Sequence, residues 1–421
     1  MNCVKTLVSA LACLVFPMSA SAMDTTAVMA TELGRPDRGL VPIGFLQPQV
    51  DAMLGGPVHG LEAEGLRAHN GETAAFNTVQ GGGSTLLRVF RARLGARGSI
   101  PGTDQKVSYT ALFEAGDNAL TRADPVVPTD LSVTLSYIPG ARVRVGQFKL
   151  PVMEEIAAPV ASHLEFVHFS TTMMRLLMEN PIQDGAYTGG ASAFRDVGMQ
   201  VFDGMQSGQL GAAWAVMVSN GSGIMAGEPD NAKDVSGRLE VAWVTDGERH
   251  DPNREEVKLG AWHLQGTRPW EDGREDRVRQ GLFVHVEQSV AWGMAEVARG
   301  RGMLEAGLAP PFQGGGPVVV PDGEGWGAVI QGGGRIRLGD RAGRLGLKAR
   351  YDRYMQQTEN TEALRVFQTT TFGVELDPVQ KLRLQANYEL RRLDAPNGSA
   401  DAKAIAESMG DRVTVQATAR F

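Results

Sequence analysis

Apolar residues recur along this chain with a period of two. The clearest stretches are Val107-Tyr109-Ala111-Phe113, Leu131-Val133-Leu135-Tyr137, Leu210-Ala212-Trp214-Val216-Val218 and Leu239-Val241-Trp243. Later come Leu345-Leu347-Ala349-Tyr351 and Leu382-Leu384-Ala386-Tyr388-Leu390. Such alternation gives a strand one apolar and one polar face, and helical spacing fits it poorly. Each stretch is about ten residues, the length a tilted strand needs to cross a bilayer. Sixteen such segments are expected: 41–51, 85–96, 105–114, 130–138, 141–149, 195–205, 208–219, 234–245, 256–264, 277–287, 290–299, 326–338, 343–354, 364–376, 380–391 and 411–421.

The linkers carry independent information. From the fourth segment onward most alternate linkers are tight: Pro139-Gly140, Asp203-Gly204 to Ser207-Gly208, Gln288-Ser289, Gly339 to Ala342 and Asp377-Pro378. These are turn residues with a backbone reason to be there. Between them lie long linkers at 52–84, 150–194, 221–233, 300–325 and 392–410. Short turns at one end and long loops at the other are the layout of an all-β, sixteen-stranded antiparallel transmembrane barrel. The last segment alternates through Val413, Val415, Ala417 and Ala419 to a terminal Phe421, read here as an assembly signal for barrel-insertion machinery.

The N-terminus sets the compartment. Lys5, the apolar run Leu7 to Phe16 and Ala20-Ser21-Ala22 form a cleavable export signal over 1–22, so the mature chain is expected to begin at Met23. Residues 23–40 would then be a periplasmic lead-in to a single barrel domain, 23–421, in the bacterial outer membrane. Acylation at Cys13 fits poorly, because that cysteine sits inside the apolar run. Cys3 and Cys13 are the only cysteines, so the mature chain has neither a disulfide nor a cysteine–metal site. No later stretch approaches 18 consecutive apolar residues, which leaves a closed sheet as the only way across lipid.

Several segments resemble the phosphate-selective porin O/P family. Val89-Phe90-Arg91-Ala92-Arg93-Leu94-Gly95 is similar to one family strand, and Val143-Arg144-Val145-Gly146-Gln147-Phe148-Lys149-Leu150-Pro151 to the strand that leads into the family's third loop. Phe194 to Gly198 and Asn220-Gly221 also sit where similar family segments occur. The resemblance implies a trimeric sixteen-stranded anion channel whose third loop, here 150–194, folds into the pore as its constriction. Selective members carry lysines on that loop. Segment 150–194 has none; its charges are Glu154, Glu155, Glu165, Arg175, Glu179 and Asp184, so a general pore is expected.

If the apolar phase faces lipid, the other phase faces the lumen. Twenty basic residues lie on it: Arg91, Arg93, Lys106, Arg142, Arg144, Arg238, Lys258, Arg277, Arg279, Arg335, Arg337, Arg344, Lys348, Arg350, Arg365, Lys381, Arg383, Arg391, Arg412 and Arg420. Ten acids share the phase, leaving 20 basic and 38 acidic residues elsewhere in the mature chain. An ion in a narrow tube responds mainly to nearby charge, so anion preference is expected despite the net charge of −7. Arg142 and Arg144 are the first candidates for the constriction, followed by Arg277 with Arg279, Arg344 with Lys348 and Arg350, and Lys381 with Arg383. The alternative is that these arginines pair with acids and stiffen the barrel.

Acidic loop residues such as Glu228, Asp230, Glu271, Asp272, Glu275 and Asp276 keep the outer face soluble, or share divalent cations with lipopolysaccharide. Tyr109, Tyr137, Trp214, Trp243, Trp292 and Tyr351 are candidates for interfacial girdles, although only 6% of the chain is aromatic. Enzyme readings find little support. His163 and His168 are five apart and so miss the zinc-binding helical spacing, no G-x-S-x-G occurs, and the glycine runs 81–83, 314–316 and 332–334 lack a phosphate loop's Lys-Ser/Thr. The expectation is a porin passing small hydrophilic solutes, without cofactor, metal or catalysis. A plugged structural barrel is the alternative.

Overall fold

The computed structural model describes residues 39–72, 85–121, 124–157, 161–178, 182–183, 186–187, 194–225, 231–247, 254–271, 273–305, 319–338 and 343–421. The export signal 1–22, most of 23–40, the glycine runs 81–83 and 314–316, and the turn 339–342 lie outside the described residues. So do Glu179, Asp184, Glu228, Asp230 and Asp272.

Sixteen antiparallel strands close into one barrel. They are β1 (Val41–Met53), β2 (Thr85–Ser99), β3 (Val107–Ala115), β4 (Val126–Leu135), β5 (Arg142–Lys149), β6 (Arg195–Ser207), β7 (Leu210–Ser219), β8 (Asp234–Asp246), β9 (Glu255–Trp270), β10 (Gly273–Glu287), β11 (Ala291–Arg301), β12 (Glu324–Arg337), β13 (Arg344–Gln356), β14 (Arg365–Val379), β15 (Leu382–Asp394) and β16 (Arg412–Arg420). Each strand pairs with its sequence neighbours, and β1 pairs with β16 to close the ring. Phe421 completes that seam, exchanging backbone hydrogen bonds with Gly44 at 3.0 and 3.2 Å.

The period-two pattern becomes an inverted surface. Leu87, Leu239, Leu282, Ile330 and Phe372 stand exposed on the outer face, while arginines, glutamates and glutamines turn inward and are buried. A water-soluble sandwich would place these sets the other way round; a barrel in lipid needs this arrangement.

Several expected boundaries move. β6 runs to Ser207, so its turn contracts from the expected 203–208 to Gly208-Gln209. Asp377-Pro378 lies inside β14, at a register shift between Leu376 and Val379, and the turn is Gln380-Lys381. Pro lacks the ladder donor, so the strand bulges there instead of ending. β9 and β10 continue pairing from Gln265↔Val278 to Trp270↔Gly273, well past the expected 256–264 and 277–287. That extension has polar residues on both faces, so it carries no alternation to read.

The long linkers contain structure of their own. Within 150–194 are α1 (Glu154–Ala157), α2 (Thr171–Leu176) and a two-stranded hairpin, Ile182–Gln183 with Ala186–Tyr187. The last long linker holds α3 (Ala400–Glu407), and Asp401 on it accepts hydrogen bonds from the Glu62 and Ala63 amides at 2.8 and 3.0 Å. Val58, Leu61, Leu66 and Ile405 form a small apolar cluster, so the first and last long linkers are packed together over one end of the barrel.

Candidate functional site: a passage between a basic wall and an inward loop

The site begins at the end of β5. Gly146 has φ +127°, and a Cβ there would lie 2.1 Å from the Leu131 carbonyl oxygen, so only glycine fits this strand crossing. Gln147 next to it donates to the Pro128 oxygen at 2.6 Å and accepts from the Met225 amide at 2.7 Å. Phe148 is fully buried, and Lys149 Nζ donates to the Ile156 oxygen at 2.8 Å. Pro151 follows at the bend where the chain leaves the wall. These segment residues therefore launch the loop and fix its direction.

The loop then crosses the lumen and is held by the far wall. Its Val152, Met153, Ile156, Phe169, Met173 and Leu176 share one apolar core with Trp262, Leu264, Phe283, Ala298 and Tyr354 of that wall. Polar anchors surround this core. Arg238 donates to the Val152 oxygen at 2.8 Å and pairs with Glu154 and Glu240. Glu154 also meets Lys258 at 2.8 Å and His285 at 2.6 Å, and its amide donates to Glu296 at 3.1 Å. Asn387 accepts from the Val167 amide at 2.8 Å, and Asp352 from the Thr171 amide at 2.9 Å. Glu155 accepts from the Ser170 amide at 2.8 Å, which ties α1 to the start of α2.

The near wall, β1 to β6, touches the loop through Phe148 and Phe202 in that core, through Lys149, and through Asp51 at His168, but stands apart from it along β2. Between β2 and the loop lies a cavity open to solvent. Arg88, Arg91, Arg93, Lys149 and Arg195 line it from the wall, and Ile156, Leu164, His168, Phe169, Met174 and Met178 line it from the loop. A β-bulge shapes the wall. Gln47 pairs with Arg91 but Pro48 with Val89, so Phe90 is an extra residue and both Phe90 and Arg91 turn inward. Asn118 Nδ2 donates to the freed Phe90 oxygen at 2.7 Å.

Most wall cations are balanced. Arg88 pairs with Asp51 at 2.6 Å, Arg93 with Glu114, and Arg195 with Asp130 at 3.3 Å. Arg91 differs: among the described residues it meets no carboxylate. Its guanidinium lies over the Phe90 ring at 4.3 Å and 5.8 Å from the Phe169 ring centre, with the Gln47 side-chain oxygen at 3.5 Å. His168, on the loop, sits 3.2 Å from Asp51 and 3.3 Å from Thr414. Burial pushes its imidazole down to about 4, so at neutral pH it adds no charge.

The sequence candidates divide between these two walls. Arg91 and Arg93 face the passage. Arg142 and Arg144 sit under the loop: Arg142 lies 3.3 Å from Asp203 and over Phe202, and Arg144 stacks on Phe202 and Phe148 and reaches Thr134 at 3.3 Å. Arg279 donates to the Leu176 oxygen at 3.1 Å and the Met303 oxygen at 2.8 Å, while Arg277 pairs with Asp234 at 3.0 Å. Arg350 holds the His168 oxygen at 2.9 Å and Glu155 at 3.2 Å. Lys348 pairs with Glu375 at 2.6 Å, Arg344 with Asp377 at 2.7 Å, and Arg383 reaches the Leu164 oxygen at 3.3 Å.

Three basic positions are not lumenal. Lys381 is exposed in the turn after β14, Arg337 is exposed at the end of β12, and Lys106 is exposed before β3, beside the Tyr137 ring. Trp292 is no girdle residue either, for it is buried inside against Gly333. Sequence reasoning missed Arg88, Arg195, Asp51 and Glu296. Pro48 in the first strand was the available signal for the bulge that turns Arg88 inward. Among the described residues no group of His, Cys, Asp or Glu could hold a metal ion.

A closed antiparallel barrel, apolar outside and crossed within by the long linker 150–194, defines the class: a transmembrane β-barrel of the outer-membrane porin fold. Neither a protein-family model nor a curated protein matches the chain. Solved structures do. OmpF of Salmonella typhi, in complex with daunomycin, superposes over 91% of this chain and 97% of its own with a TM-score of 0.58 at 10% identity. OprB of Pseudomonas putida matches over 91% and 95%, with TM-score 0.54 and 8% identity. The trimer form of OmpT, an outer-membrane protein of Vibrio cholerae, matches over 91% and 100%, with TM-score 0.51 and 12% identity. At such identities the likeness is one of fold.

Proposed function

We propose that this chain is an outer-membrane porin that passes small hydrophilic solutes by diffusion and prefers anions. The observation that carries the reading is Arg91, a cation without a carboxylate partner among the described residues, facing the open passage between wall and loop. Among the described residues, five basic side chains and one carboxylate, Glu114, line that passage. In a narrow tube of low dielectric, such local charge outweighs the acidic chain as a whole. The resemblance of the Gly146-to-Pro151 segment to the O/P family supports the same reading, and supports a homotrimer with it. Exposed acids such as Glu271 would face solvent and lipopolysaccharide.

The test is the reversal potential of the purified protein in a planar bilayer under a KCl gradient. An anion-selective potential is expected. A cation-selective potential would mean that the acidic loops govern passage. Absence of conductance from folded, inserted protein would make the loop a plug and the barrel structural.

A further inference from the structure

We infer that the passage is built for organic monoanions carrying an apolar body beside the charge, such as short-chain or aromatic carboxylates, in preference to compact inorganic anions. This rests on the anion-preferring reading above and names its substrate class. The two sides of the passage differ in chemistry. The wall side offers four guanidinium groups, of which Arg88, Arg93 and Arg195 each pair with a carboxylate and Arg91 does not. The facing loop side offers Leu164, Met174 and Met178, with Leu120 adding apolar surface from the linker after β3.

Phosphate or sulfate needs donors around its whole surface. Against Met174 and Met178 its oxygens would lose water and gain no hydrogen bond, which is costly. A carboxylate with a hydrocarbon tail satisfies both sides: its oxygens face Arg91 and its tail covers the methionines. Unbranched methionine side chains adapt to tails of different shape. Phe90 and Phe169 flank the Arg91 guanidinium and add flat apolar surface where an aromatic ring could stack. Since Asp51, Glu114 and Asp130 already hold Arg88, Arg93 and Arg195, and the Ile156 oxygen engages Lys149, Arg91 is the lining guanidinium left to meet one carboxylate.

The experiment measures block of the chloride current by acetate, butyrate, hexanoate, benzoate and phosphate in a planar bilayer. The half-blocking concentration should fall roughly fourfold for each methylene buried, and benzoate should block better than phosphate. The double variant Met174→Gln/Met178→Gln should flatten the series, whereas Lys381→Gln, at an exposed turn, should retain it. A half-blocking concentration independent of chain length, in wild-type channels that still prefer anions, overturns this inference alone. Phosphate blocking better than hexanoate does the same. Loss of anion preference in plain KCl overturns instead the reading on which it rests.

Discussion

The two sides of the lumen are both rich in arginine, yet they use it differently. On the far side, β8 to β15, Arg238, Arg279, Arg350 and Arg383 all donate to backbone oxygens of the loop or of its neighbours. On the near side, Arg88, Arg91 and Arg93 succeed one another along β2, and no described carbonyl of 150–194 caps them, although Arg88 donates to the Asp117 oxygen at 3.2 Å. The same residue type is mortar on one wall and lining on the other. What separates the roles is the loop, whose apolar core docks mostly on the far wall and leaves β2 of the near wall open. Counting basic residues on the lumenal phase therefore overstates the charge that a passing solute meets.

The comparison breaks most severely at Glu154. This carboxylate meets Arg238, Lys258 and His285, all buried or nearly so. Glu154→Gln leaves those cations without their shared partner, a loss of about 3–5 kcal/mol for a buried network. The loop should come loose from the far wall. Single-channel records should show larger, noisier conductance, and the temperature at which the barrel loses its heat-modifiable migration should drop. Unchanged conductance and migration would mean that the apolar core alone holds the loop.

A smaller effect is expected at the loop's root. Gly146→Ala places a Cβ against the Leu131 carbonyl at a positive φ, which costs roughly 1–3 kcal/mol. Thermal melting should shift down while ion selectivity stays close to wild type, because the substitution adds no charge.

A pH-dependent effect concerns His168, which joins the loop to the β1–β16 seam. Burial holds its imidazole near 4, below the ordinary 6.5. The unfolded chain thus takes up a proton that the folded one refuses. Stability from this contact is complete above about pH 6.5, declines as pH falls towards 4, and changes little below that. Melting curves of wild type and His168→Asn across this range should converge on acidification; a constant difference would show that His168 does not titrate as described.

The barrel was legible because lipid imposes one rule on every strand: apolar out, polar in, period two. All sixteen expected segments correspond to strands, with ends displaced where that rule does not apply, as in the polar extension of β9 and β10. The passage was only partly legible. Alternation placed Arg91 and Arg93 inside, but a single extra residue at Phe90 shifts the phase and hid Arg88. Arg142 and Arg144 lie next to the loop in sequence, which suggested the constriction. In space their guanidiniums stack on Phe202 and Phe148 and do not line the cavity. Sequence gives the phase of a strand; it does not give the wall against which a loop will pack.

The central claim is that the near wall alone sets ion preference, and paired reversal potentials under a KCl gradient test it most directly. Arg91→Gln should lower the anion-to-cation permeability ratio by about two- to fivefold, as expected for one uncompensated charge beside a narrow passage. Arg279→Gln, which removes the same charge from the anchoring wall, should leave the ratio near wild type. Equal shifts, or a larger shift for Arg279→Gln, would contradict the division of the lumen into an anchoring wall and a conducting one.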